Sequence, residues 1–291
     1  MGLAGLEFPN RHLALSGLKA VLISAVLFVV SISAQQPEAT PPIDDDASKP
    51  VTIKTDLVTL TLTVTDLYGR YVSGLTRSAF TVIDNNKEQQ VSFFSDSDAP
   101  VSVGILFDVS GSMSGGKIAK ARTALRRFIN SSHPNDEYFL IAFNSRAQLL
   151  LDRTRDGDAV LQKLTLVNPR QNTALYDAVY LGIERVTRGS HQKKALLIIS
   201  DGQDNSSRYN FNEVRRLMKE SDVVTYGVGI VDSGDIVSSI GMQGQAFLDE
   251  LAAVTGGKSF YPNTAIEMDE IFERIALELR HQYSIGYTPT D

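Results

Sequence analysis

Three short segments carry the oxygen donors of this chain. Asp108-Val109-Ser110-Gly111-Ser112 sets one carboxylate and two hydroxyls at i, i+2 and i+4. Thr173 stands just ahead of a helical pattern in Asn172-Thr173-Ala174-Leu175, and Asp201-Gly202 closes the apolar run Leu196-Leu197-Ile198-Ile199-Ser200. Carboxylates and hydroxyls are hard donors suited to magnesium, manganese or calcium, and a set with only two charges leaves a bound ion electrophilic. Singly, such residues often do no more than cap a helix or close a turn. Their joint occurrence at strand ends is what favours a cation. The 291-residue chain has no cysteine, which excludes thiolate zinc sites, iron–sulfur clusters, disulfides and a cysteine nucleophile.

The elements that must position these donors follow from hydrophobic patterning. Apolar runs at Val103–Phe107, Tyr138–Phe143, Ala147–Leu151, Ala195–Ile199, Val223–Val228 and Lys258–Tyr261 read as strands. Between them Ile118, Ala121, Leu125 and Phe128 share one helical face, as do Leu175, Val179, Gly182 and Val186, and Phe272, Ile275 and Leu279. Strands apolar on both sides need helices on both sides, which predicts an α/β domain over residues 100–280 with a Rossmann-like, mostly parallel sheet. Only Asn144-Ser145-Arg146 separates two of the strands, so one edge is expected to be antiparallel. Ligands bind such sheets beyond the carboxyl ends of the strands, where Asp108 and Asp201 fall.

Ahead of this domain the period changes to two. Val58, Leu60, Leu62 and Val64 alternate with threonines, Phe80-Thr81-Val82-Ile83 and Gln90–Phe94 read as further strands, and Asp84-Asn85-Asn86-Lys87 reads as a hairpin turn. This small β module, residues 51–98, is too small to be comfortable alone. The alternating Tyr283, Ile285 and Tyr287 of segment 282–288 are expected to complete it.

The order Asp108-x-Ser110-x-Ser112, Thr173, Asp201 on strand–helix loops resembles the metal-ion-dependent adhesion site of von Willebrand factor type A domains, over about Pro100 to Arg280. The resemblance implies that Asp108, Ser110 and Ser112 form a first metal loop, that Thr173 supplies a ligand from a second, and that Asp201 approaches from a third, often through water. Where the family usually has glycines before the threonine, this chain has Gln171-Asn172. The β module (Asp66-Leu67-Tyr68-Gly69, Gly74-Leu75-Thr76, Phe80-Thr81-Val82) and the ending Gln282–Pro289 look like a secreted bacterial, acidobacterial-type subgroup with this domain. The implied function is a binding or adhesion module, not an enzyme, in which bound Mg2+ (or Mn2+ or Ca2+) captures an Asp or Glu carboxylate of another protein.

Two enzyme readings compete. Gly111-Ser112-Met113-Ser114-Gly115-Gly116-Lys117 matches the outline of a phosphate-binding loop, the basis of a nucleotide-hydrolase alternative, but Ile118 stands where the magnesium-binding Ser or Thr belongs. Asp108 also puts a negative charge where phosphates would lie. For a hydrolase, His133, His191 and His281 are scattered and no nucleophile-elbow or zinc-protease motif is present.

The net charge of −6 argues against a general nucleic-acid binder. Arg11, His12 and Lys19 precede the apolar run Ala20–Val30 and the small residues Ser31–Ala34, the layout of a secretory signal peptide over residues 1–34. Cleavage is expected after Ser33 or Ala34, an uncleaved anchor being the alternative; the mature chain would be secreted or periplasmic. Residues 35–50, with four prolines and Asp44-Asp45-Asp46, read as a disordered linker.

Overall fold

Alternating Thr and Leu after Leu57 form β1 (Val58–Thr63), the first element of a computed structural model that describes residues 57–95, 98–167, 169, 172–230 and 239–290. The expected signal peptide and linker lie outside the described residues. A short hairpin follows, β2 (Val82–Asp84) and β3 (Lys87–Gln89), turned by Asn85 and Asn86. Both asparagines have positive φ (49° and 62°), the backbone a two-residue hairpin needs to follow strand twist. Then comes β4 (Val91–Ser95).

The second part of the chain alternates. Its elements are β5 (Val101–Asp108), α1 (Lys117–Ser131), β6 (Glu137–Phe143), β7 (Ala147–Thr154), α2 (Gly157–Thr165), α3 (Leu175–Val186), β8 (Lys193–Ser200), α4 (Phe211–Lys219), β9 (Val224–Gly229), α5 (Ser239–Val254), β10 (Ser259–Phe260) and α6 (Ala265–Arg280). They form a six-stranded sheet of order β10-β9-β8-β5-β6-β7, parallel throughout except that β7 returns antiparallel along β6. Every residue of β5 is buried, because both faces are covered. Val101, Val103, Ile105 and Phe107 pack under α1, α2 and α6, whereas Leu106 joins Ile141 and Ile198 under α3, α4 and α5. Each such side chain removed from water contributes about 1.5–3 kcal/mol. Helix α3 lies close over β5 because Gly182 has no side chain there; a Cβ would meet Leu106 Cδ2 at 2.8 Å.

The last strand, β11 (Gln282–Tyr287), leaves α6 and runs between β1 and β4, antiparallel to both. Its Tyr283 is fully buried; the hydroxyl donates to the Val72 carbonyl (2.9 Å) and accepts from the Leu75 N–H (3.1 Å). A polar clamp joins the two parts: buried Glu278 accepts from Lys258 Nζ at 3.0 and 3.1 Å, from Tyr226 at 3.2 Å and from Tyr71 at 3.5 Å.

Candidate metal centre

Strand β5 is followed through α1 by β6 on one side, while β8 lies on its other side, so the order of the sheet reverses between β5 and β8. The crevice at that reversal is where open α/β sheets take ligands. Asp108 ends β5 and Asp201 follows β8, which brings both carboxylates to it. Both are buried.

The first loop is one hydrogen-bonded group. Asp108 Oδ1 accepts the Ser110 N–H at 2.8 Å, and the Ser110 and Ser112 hydroxyls lie 3.0 Å apart. Asp108 Oδ2 accepts from the Ser200 hydroxyl at 2.6 Å, and Ser200 Oγ in turn accepts the Gly202 N–H at 3.0 Å. Ser200 therefore aims Asp108 and holds the turn carrying Asp201. Burial pushes the Asp108 carboxyl up to about 7, and the charge of Asp201 adds to the rise; the hydrogen bonds from Ser110 and Ser200 oppose it.

Thr173 is buried, and its backbone is tied to the loop after β8. Its N–H donates to Asn205 Oδ1 (2.9 Å) and its carbonyl accepts from the Asn205 and Ser206 N–H groups (3.0 and 3.1 Å). The Ala174 side chain cannot cap α3, so the first N–H groups of the helix are satisfied from elsewhere. Ala174 donates to the Asn144 carbonyl (2.6 Å), Tyr176 to Asp204 (2.9 Å) and Asp177 to Ser207 (3.0 Å). The loop after β8 thus carries Asp201 and fixes Thr173 as well. Gly202 (φ +83°) sits against Gly244 of α5; a Cβ on Gly202 would meet the Gly244 carbonyl oxygen at 2.2 Å. Of these supports the sequence reading missed Ser200, Asp204, Asn205 and Ser207. Their one local signal is the run of Asp, Asn and Ser between Ser200 and Ser207, typical of loops that cap with side chains.

Residues 103–203 match the family model of the von Willebrand factor type A domain. The fold is that of a von Willebrand factor type A domain. A von Willebrand factor type A protein from Catenulispora acidiphila superposes with a TM-score of 0.52 at 18% identity, over 64% of this chain and 43% of that one. An uncharacterized protein of Synechocystis sp. is 24% identical over 160 residues, covering 53% of this chain and 38% of that protein. The inter-alpha-trypsin inhibitor heavy chain H4 of Bos taurus is 21% identical over 207 residues, 66% of this chain and 22% of the relative. This chain therefore matches well under half the length of either curated relative. Type A domains are in general protein-binding modules and typically not enzymes.

The nucleotide alternative finds no support in the type A domain. Gly111–Met113 is a single 3-10 turn whose Met113 packs into the core, and Lys117 is buried in the first turn of α1, so the segment forms no open phosphate cradle. Among the described residues no three His, Cys, Asp or Glu side chains gather as a metal cluster, and no helix is long and apolar enough to cross a membrane. The donors at the crevice are two carboxylates and hydroxyls, so a histidine- or cysteine-rich transition-metal site is not their chemistry.

Proposed function

We propose that this chain is an exported protein-binding module whose type A domain holds a divalent cation, Mg2+ by preference, on Asp108, Ser110, Ser112, Thr173 and Asp201, and that it captures an Asp or Glu carboxylate of another protein. The observation that carries the reading is the pair of buried carboxylates, Asp108 and Asp201, brought together at the reversal of the sheet, where burial and the charge of Asp201 raise Asp108. Buried like charges are retained where a cation resolves them. All five side chains offer hard oxygens, which fits magnesium better than a soft metal. When bound, the ion would offer a coordination position to an incoming carboxylate.

The chain's own residues do the rest. Ser200 fixes the Asp108 carboxylate, Asn205 fixes the Thr173 loop, and the Gly202–Gly244 contact fixes the turn after Asp201. Helix α1 begins at Gly116 without a side-chain cap, and its positive end adds attraction for an anion beside Ser112. Export is supported by the segment before residue 35 alone.

Calorimetric titration with MgCl2 tests the site. Saturable binding is expected, lost in Asp108→Ala and weakened in Asp201→Ala, with circular dichroism unchanged. Peptides carrying Asp or Glu should then be retained in MgCl2, released by EDTA, and not retained as their Asn or Gln counterparts. Magnesium affinity untouched by Asp108→Ala would defeat the assignment.

A further inference from the structure

A second cavity lies at the other end of the domain. Phe139, Asp152, Arg153, Arg185 and Arg188 line a space of about 310 Å3 between the far end of β7 and the C-terminal end of α3. It is remote from Asp108: Val109 bonds to Phe143 at the hairpin end of β6, whereas Phe139 sits near the start of that strand.

The register of β6 and β7 shows how Arg153 gets there. Tyr138 pairs with Thr154 and Leu140 with Leu151, so Asp152 and Arg153 together oppose the single residue Phe139. This is a β-bulge, a device that re-aims side chains. Arg153 adopts φ +40°, a left-handed backbone that a non-glycine residue holds against its own preference. The bulge puts Arg153 at the cavity that Arg185, from the last turn of α3, and Arg188, just beyond the helix, also line.

Three arginines and one aspartate line this space. Asp152 lies 3.8 Å from Arg185 Nη1, a long contact, and Arg188 Nη2 reaches Glu184 at 2.8 Å on an exposed helix face. Arg185 Nε is buried and makes no hydrogen bond among the described residues. A buried donor left unpaired is unfavourable, and a guanidinium recovers two bonds at once when Nε and Nη2 take adjacent oxygens of one anion. The geometry points to a tetrahedral oxyanion, a phosphate or sulfate group, bound by Arg185 and Arg188 with Arg153 closing the cavity.

The chain, titrated in EDTA with inorganic phosphate and separately with inorganic sulfate, gives the test. The arginine Nε–H resonances are followed by NMR, with chloride at equal ionic strength as the control. Saturable shifts of the Arg185 and Arg188 resonances are expected with phosphate or sulfate and not with chloride, and they should persist in Asp108→Ala. Arg185→Gln and Arg188→Gln should each weaken binding at least tenfold. Arg153→Gly, in which glycine takes the same φ without strain, should keep the fold and still weaken binding. Shifts that chloride reproduces or that do not saturate, or a saturable shift of the Arg153 resonance that keeps its affinity in Arg185→Gln combined with Arg188→Gln, would overturn the proposal. The difference between the phosphate and sulfate arms names the ester the site prefers.

Discussion

Asp108 and Glu137 are buried carboxylates on neighbouring strands, one at the end of β5 and the other at the start of β6. Their surroundings differ sharply. Burial raises Glu137, but it accepts from the Ser102 hydroxyl at 2.7 Å and from the Ser190 N–H and hydroxyl at 2.6 Å each. These bonds outweigh burial and hold it below the usual carboxylate range. Asp108 has two good donors, yet burial and Asp201 carry it up to about 7. The same sheet can satisfy a buried carboxylate completely. At its other end it leaves one with more negative charge than its hydrogen bonds offset. The satisfied group anchors structure; the other is the one that the proposed reading gives to a cation.

The contrast breaks first under mutation. Glu137→Ala strands the Ser102 and Ser190 donors and is expected to cost roughly 3 kcal/mol in urea denaturation. Asp108→Asn in EDTA should stay within about 1 kcal/mol of the parent, because it removes a repelled charge from a buried place. Equal losses would show that the two groups play the same role.

A smaller effect sharpens the comparison on the ligand side. Ser200→Ala removes the hydroxyl that aims Asp108 and should lower magnesium affinity about tenfold to a hundredfold, with little change in melting temperature. Calorimetry beside thermal unfolding separates the two readouts. An unchanged affinity would remove Ser200 from the site.

The smallest effect is a difference in slope. The folded value of Asp108 is raised, so without metal its stabilising contribution is full in acid and falls as pH rises from about 4 to about 7. Glu137 is lowered, so its contribution is full above the ordinary carboxylate range and is lost as pH falls through its folded value. Denaturation series across this range should therefore respond oppositely to Asp108→Asn and Glu137→Gln.

Much of this was legible in the sequence, and for a physical reason. Strands buried on both faces appear as unbroken apolar runs, which is why β5, β6 and β8 were readable to within two residues at either end. Asp108, Ser110 and Ser112 stand out as candidates because their spacing is local, and Asp201 because it ends such a run. Ser200, Asp204 and Asn205 were not, since what they do depends on partners far along the chain: Ser200 bonds to Asp108, and Asn205 to Thr173. The bulge at Asp152–Arg153 was equally hidden, because it exists only in the register between two strands. Helices α2 and α4 were harder to read because each is only nine residues long, and α5 because its apolar residues do not keep to one face.

The placement of β11 has a mechanical consequence. Val58 pairs with Tyr287 and Thr63 with Gln282, so β1 is entered at one end of the ladder while β11 is held by α6 at the other. Tension between the start of β1 and the type A domain would run along this ladder, loading its six registered pairs together instead of peeling them one by one. A chain anchored upstream of Val58 and gripping a partner beyond Asp108 would carry that load in shear, the orientation in which a short sheet resists pulling best.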